Sequence, residues 1–117
     1  MIEVNLHFTT ELITTQSCIK DVAAPDGDFS PEEQEYFARR SDSQGSRAAR
    51  SLAKNSLRKW LLEQYGSAPA ASDLLIVSAG APPRLICDHL PQKLTINISL
   101  AHSATHAACA LLLERIA

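Results

Sequence analysis

The sequence predicts an α+β domain in which an antiparallel sheet packs against one long and one shorter helix. Segments 2–8 and 93–100 alternate apolar and polar residues, with the period of two that is typical of half-buried strands. Between them, residues 47–65 carry apolar side chains at the 3.6-residue spacing of an amphipathic helix. The full order of predicted elements is β–α–α–β–β–β–β, and this separation of helices from strands indicates the α+β class.

The first strand is predicted over residues 2–8. The composition of the next stretch, TTELITTQSCI, is ambiguous. Its threonine, isoleucine and leucine residues favour a continued strand, whereas Glu11 and the polar residues around it oppose one. Residues 21–28 contain Pro25 and Gly27, so they predict a loop.

A short helix is predicted to begin after Ser30. Ser30 can cap this helix, a proline suits its first turn, and Glu33 can complete a capping box. We expect the helix to end near Arg40, where two cations suit the negative end of the helix dipole. Residues 41–46 then predict a break, with Ser46 as the cap of the next helix.

The long helix, residues 47–65, is the clearest element of the sequence. Gly66 is suited to end it, because glycine adopts a left-handed backbone without strain. The face expected to pack against the sheet is apolar and comprises Ala49, Leu52, Ala53, Leu57, Trp60 and Leu61.

The second half of the chain is rich in predicted strands. Residues 105–116 are ambiguous, because their alanine and leucine content favours a helix. We assign them to a strand, since an antiparallel meander needs a closing strand. Strands are therefore predicted over 73–79, 84–90, 93–100 and 105–116, with turns over 67–72 and 80–83.

Length and composition restrict the class of protein. A chain of 117 residues is expected to form one domain, 1–117, and its 45% apolar and 21% charged residues are ordinary for a soluble globular protein. A net charge of -2 argues against nucleic-acid binding, which favours strongly basic domains. The sequence has no signal-peptide pattern and no apolar run near the ~20 residues of a membrane span, so we expect a cytoplasmic protein with no membrane partner.

Familiar catalytic motifs are absent: the sequence has no P-loop, GxSxG, HExxH or GxGxxG pattern. His102 follows a predicted strand, and a histidine bonded to the backbone is the simpler interpretation of it. It would share a face with His106, as a metal-binding pair, only if this segment were a helix. The cysteines form no CxxC pair, and their apolar neighbours predict small buried residues rather than ligands or nucleophiles: Cys18, Cys87 and Cys109.

Four cations share one face of the long helix: Arg47, Arg50, Lys54 and Arg58, which we call the basic stripe. A row of charges is usually a solvated face. Here no acidic residue is interleaved to pair with the cations, so they repel one another. Such a stripe also suits a polyanion, either the phosphates of a ligand or an acidic helix of a partner. The residues alone leave both interpretations open.

The same helix resembles a known motif. RAARSLAKNSLRKWL is similar to the central motif of phosphopantetheinyl transferases of the holo-acyl-carrier-protein synthase type, with Arg50, Lys54 and Lys59 on its basic positions. ISLAHSATHAACALLLE resembles the C-terminal strand–loop–strand of that family, with His102 on its histidine. The resemblance extends from Phe29 onward and is weak over the first 28 residues.

The resemblance implies a fold, an activity and partners. The family transfers the phosphopantetheine arm of coenzyme A to a serine of an acyl carrier protein, with Mg²⁺ on the pyrophosphate, and small members form trimers with the histidine supplied across the interface. The implied roles are catalysis by Lys54, Asn55 and Lys59; coenzyme binding by Arg50, Lys54, His102 and Ser103; metal binding by Glu11 and Asn55; and carrier-protein docking by Arg47, Arg50 and Arg58.

Two residues depart from the family pattern. Glu11 stands where the resemblance implies a metal-binding aspartate, and its side chain is one methylene longer. Asn55 stands where it implies a glutamate, and an amide cannot accept a proton near neutral pH. Two functions therefore remain: an active, divergent transferase, or a catalytically impaired subunit that binds coenzyme A or a carrier protein and needs a partner to complete its site. A structural domain with a solvated basic face is the third reading.

Overall fold

The computed structural model describes residues 8–40, 43–78 and 82–116. It confirms the predicted α+β class and the predicted order of elements. The strand predicted over 2–8 lies outside these residues except for Phe8. The strands are β1 (Phe8–Cys18), β2 (Leu75–Val77), β3 (Arg84–Ile86), β4 (Leu94–His102) and β5 (His106–Ile116), and the helices are α1 (Pro31–Ala38) and α2 (Gln44–Tyr65).

The main sheet has three antiparallel strands in the order β1–β5–β4. The strand assignment of 105–116 is confirmed, and this segment lies in the centre of the sheet. The segment forms a strand despite its alanine and leucine content, because alternate side chains are buried on one face of the sheet. The buried residues are Ala107, Cys109, Leu111 and Leu113. The continuation of β1 through TTELITTQSC is also confirmed, since it pairs with β5 along its whole length.

Strands β2 and β3 form a separate antiparallel pair and are shorter than predicted. The segment predicted as 73–79 is strand only over Leu75–Val77, because a 3₁₀ turn occupies Ala71–Asp73. The segment predicted as 84–90 ends as a strand at Ile86 and continues as a turn. The turn predicted at 80–83 falls partly on residues outside the described ranges.

Helix α2 begins at Gln44, earlier than predicted, so the prediction of Ser46 as its cap is wrong. Ser46 is buried in the first turn, and its hydroxyl accepts a hydrogen bond from Arg50. The predicted end is confirmed: Gly66 has a φ of 79°, and its N–H donates to the carbonyl of Leu62.

The core lies between α2 and the inner face of the main sheet. The predicted apolar face of α2 packs there, with five of its six members buried and Leu52 half-buried. From the strands, Ile76, Ile98, Leu111 and Leu113 fill the opposite side. No helix in the described part of the chain has the length and apolar character needed to span a bilayer.

Helix α1 is joined to α2 by a buried ion pair. The predicted capping box is present: Ser30 Oγ accepts from the Glu33 N–H, and Glu33 Oε1 accepts from the Ser30 N–H. The same Glu33 oxygen accepts a charge-assisted bond from Lys54 Nζ at 2.5 Å, with 1% of the Lys54 side chain and 2% of the Glu33 side chain exposed. Lys54 also donates to the carbonyls of Asp28 at 2.8 Å and Ala71 at 2.9 Å, so its three donors are used.

Breaking this pair is expected to destabilise the fold strongly. Lys54→Met leaves the Glu33 carboxylate buried without its cation, which should lower the free energy of unfolding by about 3–5 kcal/mol. Adding Glu33→Gln removes the stranded charge and should recover at least ~1 kcal/mol of that loss. Denaturant unfolding of the two single variants and the double variant measures the coupling.

The exposed pair on α1 is a matched control. Glu35 and Arg39 form an ion pair whose side chains are 64% and 77% exposed. Glu35→Gln should change the free energy of unfolding by less than about 0.5 kcal/mol. Additive losses from Lys54→Met and Glu33→Gln would contradict the proposed coupling.

Candidate functional site

The basic stripe does not face open solvent as an unpaired row of cations. Arg47 donates to the Ala24 carbonyl and pairs with Asp26, and its guanidinium lies 4.7 Å from the centre of the Phe29 ring. Arg58 donates to the carbonyl of Pro69 at 2.8 Å. The repulsion expected from the sequence is relieved because the neighbouring segments supply acceptors that lie far away along the chain.

Arg50 lies inside the protein, with 4% of its surface exposed. It donates to the hydroxyls of Ser46 and Ser78, and it lies 4.8 Å from the centre of the Tyr36 ring. Burial lowers the pKa of Arg50, and the Tyr36 hydroxyl acts in the opposite direction. Within the described residues its Nε has no hydrogen-bond partner and no carboxylate forms an ion pair with it.

Lys54 is likewise an interior residue. Burial lowers its pKa, and the hydrogen bond and charge of Glu33 oppose that effect. Because its three donors are already bound to protein oxygens, Lys54 has none to offer to a ligand in this arrangement. The next residue along the helix, Asn55, is exposed.

Asn55 and Lys59 meet in a cleft of about 390 Å³ between β1 and α2, which we call the β1–α2 cleft. Both side chains are exposed, as expected for residues that bind a ligand. Two of the three predicted catalytic residues are thus brought together, and the third, Lys54, is not. The lining of the cleft comprises Ile13, Thr15, Asn55, Ser56, Lys59, Trp60 and Glu63.

Glu11 lies at the same junction of β1 and α2. It shares a strand face with Ile13 and Thr15, since alternate strand residues point the same way. Its Oε2 accepts a hydrogen bond from Trp60 Nε1, while Thr15 and Ser56 bond through their hydroxyls at 2.9 Å. The indole therefore fixes the Glu11 carboxylate to the helix that carries Asn55 and Lys59.

These donors suit a magnesium ion only when a phosphate ligand supplies the rest of its coordination. Mg²⁺ in proteins is usually held by one or two carboxylates together with substrate phosphates. Glu11 provides one carboxylate, already engaged by an indole, and Asn55 provides a neutral amide oxygen. In the described ranges no three acidic, histidine or cysteine side chains group together as a metal site would require.

His102 and Ser103 lie at the other end of α2. His102 is the last residue of β4, and its ring lies so close to Gly45 that a Cβ there would come within 2.3 Å of Nδ1. Ser103 orders the β4–β5 turn, because its hydroxyl accepts from the N–H groups of Thr105 and His106. Gly45 and Asn55 are separated by roughly 15 Å along the helix, at 1.5 Å per residue, so one chain does not bring His102 to the cleft.

Sequence reasoning missed the other side chains of the cleft. Thr15 and Ser56 are small polar residues without a motif, and only the pairing of β1 with the α2 face reveals them. Trp60 was expected in the core and is buried there, but its N–H also serves the site. The N–H of a buried tryptophan usually needs a hydrogen-bond acceptor. That general requirement was the only feature of the sequence that indicated a polar partner for Trp60.

Comparison with known proteins identifies the fold. No family model matches the chain, and a search of curated proteins finds no match. Among solved structures, an apo acyl carrier protein synthase from Chronobacterium ammoniagenes superimposes with a TM-score of 0.73 at 15% identity, covering 93% of this chain and 99% of that one. The fold is that of the acyl carrier protein synthases.

Two further structures agree. The acyl carrier protein synthase of Mycobacterium tuberculosis matches with a TM-score of 0.65 and 25% identity, over 89% of this chain and 96% of that one. A complex of the Chronobacterium ammoniagenes protein with CoA matches with a TM-score of 0.68 and 15% identity, over 90% and 96% of the two chains. The resemblance inferred from the central helix motif is confirmed at the level of the fold.

The oxygen ligands that Glu11 and Asn55 can offer predict how the chain binds Mg²⁺ in the absence of a phosphate ligand. In the millimolar range, wild type should show no saturable binding by calorimetry and no change in the fluorescence of Trp60, the single tryptophan. Asn55→Glu adds a carboxylate to the cleft and should give saturable binding. Asn55→Gln has the same length without the charge, so it should behave as wild type. Equal Mg²⁺ binding by wild type and Asn55→Glu would show that asparagine at this position does not lower the affinity for the metal relative to glutamate.

Proposed function

We propose that this protein transfers the phosphopantetheine arm of coenzyme A to a serine of an acyl carrier protein. The observation that carries the proposal is the fold match over about nine-tenths of the chain to acyl carrier protein synthases, one of them a complex with CoA. The β1–α2 cleft supports it, because Asn55 and Lys59 are exposed there on the helix whose sequence resembles the family's central motif.

For this reaction the protein must bind the pyrophosphate of coenzyme A and neutralise its negative charge. The carrier serine oxygen forms a bond to the phosphorus of the phosphopantetheine arm, the pyrophosphate bridge breaks, and adenosine bisphosphate leaves. Lys59, which is exposed in the cleft, would neutralise the charge that develops on the phosphate oxygens. Mg²⁺, held by Glu11 and Asn55 together with the pyrophosphate, would supply further charge neutralisation when bound.

The buried cations have a supporting role in this proposal. Lys54 is anchored inside the fold and so holds the part of α2 that carries Asn55, and Arg50 fixes the start of α2 near the His102 end. Docking of the acidic carrier protein is assigned mainly to Arg47 and Arg58, which are half-buried, since Arg50 has little exposed surface.

We further propose that one domain acts as a cytoplasmic homotrimer, with His102 and Ser103 completing the coenzyme site across a subunit interface. The distance along α2 between the His102 end and the β1–α2 cleft supports this arrangement. The outer face of the main sheet supports it too, since it carries Leu12, which is 66% exposed.

A second function is favoured by one specific observation. Asn55 is exposed in the cleft at the position where the resemblance implies a glutamate, so the site lacks a charge that catalysis uses. The chain would then bind coenzyme A or a carrier protein without transfer, and a partner subunit would complete the site.

Transfer itself is tested by incubation of the protein with apo carrier protein, coenzyme A and Mg²⁺. Mass spectrometry should detect the phosphopantetheine adduct, and Asn55→Glu should form it faster than wild type and Asn55→Gln. Coenzyme A binding by calorimetry without an adduct would favour the binding function. Absence of an adduct, together with absence of binding to both coenzyme A and the carrier protein, would rule out both functions.

Lys59 gives a sharper prediction about the cleft. Lys59→Gln removes its positive charge and should slow adduct formation roughly a hundredfold, because charge stabilisation in the transition state is lost. Lys93→Gln is the matched control: Lys93 is another exposed lysine, in the turn before β4. Equal loss in both variants would mean that general charge, rather than the cleft, matters.

A further inference from the structure

Three side chains at one end of the main sheet form an arrangement that the proposed transfer does not use. Cys18 ends β1, His106 begins β5, and the two are directly paired in the sheet. Cys18 Sγ lies 3.3 Å from His106 Nε2, and His106 Nδ1 lies 2.8 Å from Thr105 Oγ1. A thiol, a base and a group that orients the base are thus in hydrogen-bond contact, as in activated nucleophiles generally.

The backbone holds these three residues in place. The Ile19 N–H donates to the Thr105 carbonyl at 2.8 Å, one step beyond the last pair of the β1–β5 ladder. The Ser103 N–H donates to the His106 carbonyl at 2.8 Å, which closes the β4–β5 turn. The approach of Cys18 to His106 therefore follows from strand register rather than from a chance rotamer.

The thiol also opens onto space that a ligand can enter. Cys18, Thr105, Lys20 and Arg47 line a cavity of about 680 Å³ beside the start of α2. Lys20 and Arg47 are the charged residues of its lining, and both are cations. Asp26 pairs with Arg47, but its side chain is 81% exposed and it does not line the cavity.

The other two cysteines differ in surroundings. Cys109 is buried, and burial raises the pKa of its thiol, which lowers its reactivity. Cys87 is half-buried like Cys18, yet no histidine is hydrogen-bonded to it among the described residues. The expectation that all three cysteines are buried small residues therefore holds for Cys109 and fails for Cys18 and Cys87.

We propose that Cys18 is a reactive thiol, with His106 as its base, that undergoes exchange with small disulfides carrying negative charge. With the Nδ1 proton donated to Thr105, Nε2 accepts the Cys18 proton. The Cys18 thiolate attacks one sulfur of the incoming disulfide, whose S–S bond breaks as the new one forms. The released thiolate takes the proton from His106, so one half of the incoming disulfide leaves as a reduced thiol and Cys18 is oxidised to a mixed disulfide with the other half.

The expected behaviour follows from the groups around the thiol. His106 accepts the Cys18 proton during attack on the disulfide, which is the contribution of a positioned general base. The net acceleration near neutral pH should be about three- to tenfold. Lys20 and Arg47 should add a preference for anionic over neutral disulfides. This proposal does not rest on the transferase function.

The test uses two probes, the anionic dithiobis(nitrobenzoate) and the neutral dithiodipyridine, with the full chain. Peptide mapping by mass spectrometry should place the first adduct on Cys18, before Cys87 and Cys109. His106→Gln should slow the reaction near neutral pH and leave it unchanged in strongly alkaline buffer, where thiols are deprotonated without help. Lys20→Gln should slow only the anionic probe.

Control variants separate reactivity from folding. Cys87→Ser should leave the rate of the fast phase unchanged, and Cys18→Ser should remove that phase. Circular dichroism establishes whether each variant is folded. If His106→Gln does not fold, Thr105→Val disturbs His106 in a second way, by removing the hydroxyl that contacts Nδ1. Labelling of Cys87 at the same rate as Cys18, or a pH-independent effect of His106→Gln, would overturn the proposal.

Discussion

The buried pair of Lys54 and Glu33 is the interaction on which the arrangement of this molecule depends. Glu33 caps α1, accepts from Lys54 in the middle of α2, and accepts the N–H of Ile76 in β2 at 3.3 Å. Lys54 adds the carbonyls of Asp28 and Ala71. Moving two charges out of water is costly, and the cost is offset only because nearly every donor and acceptor is bonded. The pair therefore specifies how two helices and two loops meet.

This constraint also sets the direction of the cleft residues. Successive residues of a helix point about 100° apart, so anchoring Lys54 against α1 turns Asn55 toward β1. Lys59 follows on the face of Asn55, roughly one turn further along the helix. A ligand in the β1–α2 cleft would thus meet side chains whose orientation is fixed from the opposite side of the helix.

Much of the fold could be predicted from the sequence because local patterns agree with tertiary packing. The capping box at Ser30 and the apolar face of α2 are local signals, and both appear as expected. The end of β2, the start of α2 and the interior position of Lys54 and Arg50 were not predictable, because they depend on partners far away in the chain. A row of cations without nearby acids looks exposed in sequence, yet Glu33 lies 21 residues from Lys54 and still pairs with it.

The neutral side chain at Asn55 changes the balance of charges in the β1–α2 cleft. A carboxylate there would attract Lys59 and a metal ion, whereas the amide leaves the positive charge of Lys59 opposed within the lining by Glu63. Both side chains are exposed, so solvent screens the pair, and a carboxylate at position 55 would interact with Lys59 by about 0.3–0.5 kcal/mol. The change acts unequally on binding and on catalysis. In the proposed transfer, the pyrophosphate would gain from a more positive cleft as soon as it binds, whereas a metal ion would assist most where charge builds up in the transition state. Under that proposal the cleft is expected to retain affinity for phosphate groups more fully than it retains rate.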